Sequence, residues 1–328
     1  MTTTTDSRVR TTALAHLQTW RPYTVWYVGL LGLAGAGLAG ERRPLWLAVA
    51  WATPTVGWLG GHYLSDYFDR DLDAASKPHR PIPSGRLAPG VALACGVAAM
   101  IAVGVLAVVS GRSTAVIAVC AVAAVVAYGR WLKATGLSGN LIRGLLGALA
   151  LLYGAAVVPK IDSKVLVFAL AFWLHDSASN LVGTLRDVAG DRAGGYQTLP
   201  VRRGTPVAVW TSSALYTAAI GAAAVGGGAR PAYLATLAAV AAVGVVAFTP
   251  LVRMRAALPV PAALRAHEVL VVERLGLAAG VVGLGLGAAP AVALLVPMAA
   301  LTWWTQRRMR TWYELGPADG RAERMANA

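Results

Sequence analysis

Two short stretches of the sequence place several carboxylates at the end of an apolar run. The aspartates are Asp66, Asp69, Asp71 and Asp73 in the first stretch and Asp176, Asp187 and Asp191 in the second. Carboxylates on one side of a helix repel one another unless a cation lies among them. Magnesium suits such a position, because it prefers oxygen ligands and is typically held by one or two carboxylates together with substrate phosphates. The two stretches therefore predict a magnesium site that is shared with the phosphates of a substrate, with candidate metal ligands Asp66, Asp69, Asp73, Asp187 and Asp191.

The spacing of the polar residues is helical in both stretches. Ser65, Asp69 and Asp73 follow one another at intervals of four residues, a spacing at which side chains drift by only about 40° per step around a helix. The second stretch forms a stripe of the same kind, made of Asp176, Asn180, Thr184, Asp187 and Asp191. The two stretches repeat at a separation near 118 residues, and such weak repeats often place a binding site at the interface of two halves of a bundle.

Basic residues accompany the acidic stretches in loops that contain proline or glycine. They are Lys77, Arg80 and Arg86 after the first stretch, Lys133 in the next loop, and Arg202 and Arg203 after the second stretch. Guanidinium and ammonium groups make strong, charge-assisted hydrogen bonds with phosphate oxygens. We therefore predict that these residues bind the diphosphate, together with Ser65, Asp66 and Asn180. Asp176 lies inside an apolar run, where an ionisable group costs at least about 2.5 kcal/mol and usually marks a functional cavity.

The elements that position these residues are predicted to be membrane-spanning helices. Hydrophobic residues make up 57% of the chain and charged residues 13%, and the mean hydropathy is positive. This composition is more apolar than that of ordinary soluble domains. The apolar runs approach the length of about 20 residues that crosses a bilayer. The predicted spans are 22–39, 45–66, 89–110, 114–130, 141–159, 164–184, 206–227, 231–251, 268–287 and 289–305.

Lysines and arginines are distributed unequally between the two sides of the predicted bundle. If the N-terminus is cytoplasmic, 23 of the 29 basic residues lie on the cytoplasmic side, as the positive-inside rule requires. We therefore predict a multi-pass protein of the cytoplasmic membrane, with both termini and the acidic stretches facing the cytoplasm. The net charge of +14 fits loops that lie against anionic membrane lipids. Nucleic-acid binding is not expected, because no single basic domain is present.

The chain divides into three predicted segments. Residues 1–19 are polar, lack the apolar core of a signal peptide and are predicted to be a disordered cytoplasmic N-terminus. Residues 20–306 form a single transmembrane domain, and residues 307–328 form a basic cytoplasmic tail. The fold class predicted from these segments is all-α, a polytopic transmembrane helical bundle.

At the acidic stretches the sequence resembles the UbiA-type membrane prenyltransferase superfamily. The motifs of that superfamily are Asn-x-x-x-Asp-x-x-x-Asp on the second helix and Asp-x-x-x-Asp on the sixth. Asp69 and Asp73 match the first motif, and Asp187 and Asp191 match the second. Ser65 stands where the first motif has asparagine.

The resemblance extends over roughly residues 20–288. It includes Tyr128 and Lys133, in a stretch similar to the family's loop between helices four and five, where a lysine approaches the diphosphate. The fold that the resemblance implies is a bundle with a nine-helix core, to which the predicted C-terminal span would add a tenth helix.

The activity that the resemblance implies is prenyl transfer. Magnesium at the aspartates would neutralise the diphosphate of an allylic isoprenyl diphosphate so that its C–O bond ionises, and an aromatic or lipid acceptor would capture the prenyl cation. Asp191 or Asp176 would take the proton from the acceptor. Aromatic faces can stabilise the cation, and the candidates are Tyr63, Tyr67, Phe68, Tyr128, Tyr153, Phe172 and Trp173.

Two other classes of function remain open from the sequence. A terpene cyclase of the same fold would use the same metal site, but a distal double bond of the isoprenoid chain would attack the cation. A cation-coupled transporter is the non-enzyme alternative, because intramembrane acidic residues and mirrored motifs occur in transporters too. Against the transporter, nearly all carboxylates lie at the predicted cytoplasmic edge rather than near the middle of the membrane.

Overall fold

The structure is a computed structural model, and it describes residues 2–158 and 162–316. Its helices are α1 Thr2–Trp20, α2 Pro22–Leu38, α3 Pro44–Phe68, α4 Arg70–Ser76, α5 Pro89–Ser110, α6 Arg112–Ala127, α7 Ser138–Ala155, α8 Ser163–Arg186, α9 Val188–Ala193, α10 Leu199–Arg203, α11 Thr205–Gly227, α12 Pro231–Arg253, α13 Val260–Leu286, α14 Ala288–Thr305 and α15 Thr311–Leu315. Single π-helical turns follow α6 at Tyr128–Leu132 and α14 at Gln306–Arg310. Two short strands, β1 Thr135–Gly136 and β2 Gln197–Thr198, pair in parallel. The all-α class is confirmed.

The long helices coincide with the predicted spans to within a few residues, except that α13 begins eight residues earlier than predicted. Within the described ranges, seven segments are long and apolar enough to cross a membrane: α5, α6 with its π turn, α8, α11, α12, α13, and α14 continued to the end of α15. Helices α2, α3 and α7, which supply much of the centre of the bundle, are not among the seven. The number of crossings stays a prediction.

Proline starts many of these helices. Pro22, Pro44, Pro89, Pro206 and Pro231 each occupy the first or second position of a long helix. At that position the missing N–H of proline costs nothing, because it would have no partner within the helix, and the fixed φ angle is already helical. Glycine marks several helix ends, as at Gly287 between α13 and α14, which has a φ of 100°.

Glycine also brings the central helices α2, α3 and α7 into close contact. A methyl group on Gly154 of α7 would overlap the carbonyl oxygen of Gly32 on α2, and one on Gly35 would overlap the carbonyl oxygen of Leu151. Gly32 itself faces the backbone of Ala50 on α3. Small residues at such positions let helix backbones approach closely, which is how helices associate where lipid removes the hydrophobic driving force between them.

The outer surface of the bundle is apolar, as a lipid-facing surface requires. Along α5 the exposed side chains include Val97, Ile101, Val105, Val108 and Val109. A row of exposed aliphatic side chains of this kind is suited to contact with lipid. Helices α5 and α6 therefore have the surface of membrane spans.

The prediction of a disordered N-terminus over residues 1–19 is wrong, because residues 2–20 form α1. Its C-terminal part packs against α3: Nε1 of Trp20 donates a 2.7 Å hydrogen bond to the hydroxyl of Tyr63, and Nδ1 of His16 lies 2.6 Å from the same oxygen. Ala15 and Thr19 are buried. The polar sequence gave no sign of this contact, because the groups that α1 meets, such as the Tyr63 hydroxyl, lie on distant parts of the chain.

The predicted tail also begins too early. The chain does not leave the bundle at residue 307 but continues through the π turn and α15 to Leu315. The guanidinium of Arg310 is buried and hydrogen bonds to Gln306 and, at 2.7 Å, to Nδ1 of His267 on α13. These polar contacts keep residues 307–315 in the bundle, although their charge alone predicts that they lie in solvent. Residues 317–328 of the predicted tail lie outside the described residues.

Candidate active site

The two acidic stretches fold into the same local structure. A long helix, α3 or α8, stops at an aspartate, Asp69 or Asp187, and a short helix begins at the next residue. In each short helix the aspartate four residues further on, Asp73 or Asp191, donates its backbone N–H to the carbonyl oxygen of the first aspartate at 2.8 Å. The sequence repeat is therefore a structural repeat with a matching helix break.

The loops that follow the two halves are joined by the β1–β2 pair. Strand β1 lies next to Lys133, and β2 ends at Thr198. The backbone N–H of Gln197 donates a 2.8 Å hydrogen bond to the carbonyl oxygen of Ala134. This pairing brings the hydroxyl of Thr198 within 3.2 Å of Oδ2 of Asp191. The small sheet thus fixes the positions of a basic loop and an acidic helix relative to each other.

A cavity of about 400 Å³ lies between the two helix breaks. Its polar end is lined by Ser65, Asp69, Asp73, Lys77, Arg80, Tyr128, Lys133, Asp187 and Asp191. Its walls further along α3, α5, α6 and α7 are mainly apolar, with Val103, Ile117, Val122, Leu146 and Leu149 among them. One compartment therefore joins a charged mouth to an apolar interior.

Cations face the carboxylates at the mouth of this cavity. Nη1 of Arg80 lies 2.9 Å from both carboxylate oxygens of Asp73. Lys133 donates a hydrogen bond to Asp69, which also accepts one from the hydroxyl of Ser65 at 3.2 Å. The serine in the asparagine position of the motif thus contacts the aspartate of the next turn. The mouth combines ligands for a cation with donors for an anion.

One carboxylate oxygen at the mouth is free to bind a metal. Oδ1 of Asp69 is buried and has no hydrogen-bond partner within the described ranges. In the same ranges no three side chains of His, Cys, Asp or Glu converge on one point closely enough to hold an ion by themselves. Magnesium normally takes only one or two carboxylates when phosphates and water complete its shell. The carboxylates therefore fit magnesium that is shared with a diphosphate.

The two acidic residues of the α8–α9 break differ in their electrostatic surroundings. Burial raises the pKa of Asp191 to about 6, with a further increase from the charge of Asp187. Burial acts in the same direction on Asp187, but the cations Arg186 and Lys77 outweigh it and hold its pKa well below the usual range. At Lys133 burial lowers the pKa, yet the charge of Asp69 gives a net increase. Asp187 and Lys133 are therefore charged at neutral pH.

Deeper in the cavity lies a second group of polar side chains. Oδ1 of Asp176 is 3.6 Å from Nη1 of Arg274, and Oδ1 of Asn180 accepts a 2.9 Å hydrogen bond from Asn140. The guanidinium of Arg143 is centred 3.9 Å from the ring of Trp58. Within the described residues Arg143 makes no ion pair and no hydrogen bond, so its charge is balanced only by the aromatic face and by more distant groups.

Arg86, Arg202 and Arg203 do not line the cavity, which corrects the prediction that they bind the diphosphate there. Arg86 donates a 2.6 Å hydrogen bond to Oε1 of Gln18 and points toward α1. Arg202 and Arg203 are exposed on α10. The loops were predicted correctly as basic, but the direction of each side chain depends on how its loop folds back.

Asp66 is also absent from the cavity wall. Its carboxylate pairs with Arg21 and lies 3.1 Å from the hydroxyl of Tyr313. It is one position away from Ser65 on α3, so it points to a different side of the helix than Ser65 and Asp69 do. Its candidacy as a metal or diphosphate ligand is corrected on this ground.

Sequence reasoning also missed residues that line the cavity, namely Arg21, Trp58, Arg143, Arg186, Arg274, Arg310 and Glu314. Glu314 had a signal, because it is the only acidic residue among the basic and aromatic residues of 306–316. Of the aromatic candidates, Tyr128 and Tyr153 line the cavity. Tyr63 contacts α1, Phe172 is buried in the core, and Nε1 of Trp173 donates to the carbonyl oxygen of Leu141.

The fold and this site define a class: a polytopic membrane protein in which two repeated acidic helix breaks flank the charged mouth of a cavity with mainly apolar walls. The model of the UbiA prenyltransferase family matches residues 24–267, and the chain belongs to this family. It is therefore an integral membrane protein and an enzyme of the prenyl-transferring class, which confirms the resemblance found in the sequence.

Relatives and solved structures agree with this membership. A digeranylgeranylglyceryl phosphate synthase of Methanopyrus kandleri is 36% identical over 200 residues, or 60% of this chain and 72% of the relative. A UbiA homologue from Aeropyrum pernix K1 has a TM-score of 0.62 at 16% identity, over 78% of this chain and 96% of that chain. A UbiA homologue from Archaeoglobus fulgidus bound to GPP and Mg2+ has a TM-score of 0.59 at 13% identity, over 89% of this chain and 99% of that chain. At these identities the two structures show the shared fold.

Proposed function

We propose that this protein transfers a prenyl group from an allylic isoprenyl diphosphate to a lipid acceptor that carries a phosphate group, in a magnesium-dependent reaction. The observation that carries the proposal is the pair of matched helix breaks, whose four aspartates and facing cations line one end of a single cavity with apolar walls. A diphosphate needs the charged end, and an isoprenoid chain needs the apolar walls.

The residues at the mouth divide into two roles. Asp69, Asp73, Asp187 and Asp191 would hold magnesium, which when bound neutralises the departing diphosphate. Lys77, Arg80 and Lys133 would donate hydrogen bonds to the phosphate oxygens, since each reaches the same mouth. Binding of Mg2+ and GPP by the Archaeoglobus fulgidus homologue supports this assignment. Ser65 would act through Asp69, to which it donates a hydrogen bond.

The deeper part of the cavity would bind the allylic prenyl cation and the acceptor. The apolar walls exclude water, which would otherwise capture the cation, and the faces of Tyr128 and Tyr153 stabilise positive charge. An acceptor hydroxyl oxygen would form the new C–O bond and release its proton to Asp176 or Asp191. Oδ1 of Asp176 is buried without a hydrogen-bond partner in the described part of the chain, which supports a role as proton acceptor.

The acceptor class follows from two observations. The Methanopyrus kandleri relative is named for a glyceryl phosphate product, and Arg143 presents a guanidinium without a carboxylate partner to the cavity. A phosphate on the acceptor would provide the missing counter-charge. The aromatic acceptor considered from the sequence has no such support. The active site would face the cytoplasm of a cytoplasmic membrane, in line with the distribution of basic residues.

The experiment that tests the proposal separates a transferase from a cyclase. Purified protein is incubated with magnesium and isoprenyl diphosphates of geranyl to geranylgeranyl length, with and without a glycerol-phosphate ether lipid that has a free hydroxyl. We expect slow hydrolysis to the linear alcohol without the lipid, and a prenylated lipid, identified by mass spectrometry, in its presence. The same lipid without its phosphate should be a poor acceptor. If a cyclic hydrocarbon or cyclic alcohol forms without acceptor, at the rate of diphosphate release, the protein is a cyclase and not a transferase.

A further inference from the structure

The C-terminal helix α15 enters the charged mouth of the cavity. It follows the π turn that ends α14 and stops at Gly316, whose φ of 86° ends the helix. We propose that α15 is a latch: its Glu314 occupies the cations that bind the diphosphate, and the latch must leave before substrate binds. This inference rests on the proposed function, because it takes those cations to be the diphosphate ligands.

The carboxylate of Glu314 lies among three cations. Its Oε2 accepts hydrogen bonds from Nζ of Lys77 at 3.2 Å and from Nη2 of Arg80 at 3.0 Å, and its Oε1 is 3.2 Å from Nη1 of Arg186. The side chain is 9% exposed. A carboxylate held by two guanidinium groups and an ammonium group has the surroundings that a phosphate group takes.

A diphosphate would compete with Glu314 for these donors. Lys77 and Arg80 each turn N–H groups toward the mouth, and Glu314 takes one from each. A diphosphate bound there would also place its negative charge within a few ångströms of the Glu314 carboxylate, in surroundings where like charges repel more strongly than in bulk water. Binding of one anion therefore displaces the other.

The two residues before Glu314 hold the latch to the same side of the bundle. The hydroxyl of Tyr313 accepts a 2.7 Å hydrogen bond from Nη2 of Arg21 and lies 3.1 Å from Oδ2 of Asp66. The Tyr313 ring is contacted by the guanidinium groups of Arg80 and Arg21, centred 4.5 and 4.9 Å away. These contacts give Arg21 and Asp66 a function although Asp66 does not reach the cavity.

Trp312 completes the contact with the loop after α4. Its ring meets His79 edge-on at 5.2 Å and is covered by the guanidinium of Arg86 at 5.2 Å. The carbonyl oxygen of Tyr313 is 3.1 Å from Nε2 of His79. Most of the contacts that hold the latch are polar or ionic, and these are the contacts that a highly charged ligand can exchange. The buried Arg310 anchors the chain just before α15, so that α15 can move while α14 stays in place.

The first test measures binding of magnesium and inorganic pyrophosphate to the full-length protein by isothermal titration. If the latch is closed nine-tenths of the time, it weakens apparent affinity about tenfold. We therefore expect Glu314→Gln to lower the apparent Kd for pyrophosphate, and the KM for the isoprenyl diphosphate, by about tenfold, with kcat unchanged or higher. The matched control is Asp71→Asn, because the Asp71 side chain is 87% exposed on α4 and its ion pair, to Arg70, is 3.8 Å long. The control should leave both constants unchanged.

The outcomes of this test are distinct. Weaker or unchanged pyrophosphate binding by Glu314→Gln, or a loss of kcat, would show that Glu314 belongs to the productive site and would overturn the latch. If the unaltered protein and both variants fail to bind pyrophosphate while all elute as folded protein, the assignment of the diphosphate site is wrong. The proposed latch, which rests on that assignment, is then wrong too. Tighter binding together with a product that is not prenylated would support the latch and contradict the proposed transfer.

The second test holds the latch closed. His79→Cys and Trp312→Cys are combined in a background with Cys95→Ala and Cys120→Ala, and a short cleavable bis-thiosulfonate reagent joins the two thiols. We expect cross-linking to abolish pyrophosphate binding and prenyl transfer, and dithiothreitol to restore both. The same reagent applied to either single variant should have no effect. Pyrophosphate binding that survives complete cross-linking would refute the latch.

Discussion

The ammonium of Lys77 donates a 2.9 Å hydrogen bond to Oδ1 of Asp187, which joins the loop after the first acidic break to the second break across 110 residues of sequence. The two residues belong to different halves of the bundle. Their contact shows that the charged mouth exists only when the halves are docked, and that a basic residue of one half faces a carboxylate of the other. This crossed arrangement underlies the following predictions.

We predict that Asp69→Asn and Asp187→Asn each lower turnover by at least about a hundredfold, because each substitution removes a negative charge that would hold the magnesium needed to neutralise the departing diphosphate. The measurement is kcat at saturating isoprenyl diphosphate and magnesium. Asp162→Asn is the control, since Asp162 is an exposed N-cap of α8 on the opposite side and asparagine caps helices equally well. Equal effects at all three positions, or activity that survives chelation of magnesium, would contradict the metal site.

Arg143 is predicted to select the acceptor. Arg143→Met keeps an unbranched, flexible side chain but removes the charge. We expect the KM for a phosphate-bearing lipid acceptor to rise by at least about tenfold, because loss of one charge-assisted hydrogen bond costs roughly 1.5–3 kcal/mol. The KM for the isoprenyl diphosphate should stay the same. The control, Arg112→Met, alters an exposed arginine at the start of α6. A matching increase in the KM for the diphosphate would assign Arg143 to the donor instead.

The orientation of the site is open to direct measurement. Single cysteines introduced as Ser84→Cys, Ser138→Cys and Thr205→Cys, in a background without Cys95 and Cys120, should all react with a membrane-impermeant maleimide from the cytoplasmic side. The unequal distribution of basic residues is the physical reason. Ser163→Cys, at the start of α8 and on the opposite side of the bundle, should react only from outside. Labelling of any of the first three from outside would refute the topology.

The contact between α2 and α7 should be sensitive to one added methyl group. Gly154→Ala would place that group on the carbonyl oxygen of Gly32, and overpacking against backbone typically costs about 1–3 kcal/mol. We expect a lower midpoint of thermal unfolding in detergent. The measurement is the loss of folded protein with temperature, monitored by size-exclusion chromatography. Gly221→Ala on α11 has open space around it and should leave the midpoint unchanged or raise it. Equal midpoints for the two variants would show that the helices can separate at no cost.

The local features of the protein could be predicted from hydropathy and residue spacing. Hydropathy and spacing predicted the long helices, and the intervals of four residues predicted that Asp69 with Asp73, and Asp187 with Asp191, act as pairs. These properties follow from the helical repeat and from the thickness of the membrane, and neither needs a partner elsewhere in the chain. The family motifs are equally local, so the family could be recognised before the structure.

Which charged groups meet depends on how distant helices pack. Glu314 reaches Lys77 from 237 residues away, and Tyr313 reaches Arg21 from 292 residues away. Arg86 follows the same acidic stretch as Arg80, yet only Arg80 lines the cavity. A charged side chain in a bundle is directed by the nearest group that can satisfy it, because leaving it buried and unpaired costs several kcal/mol. That group is supplied by the packing of distant helices, which the order of residues along one helix does not contain.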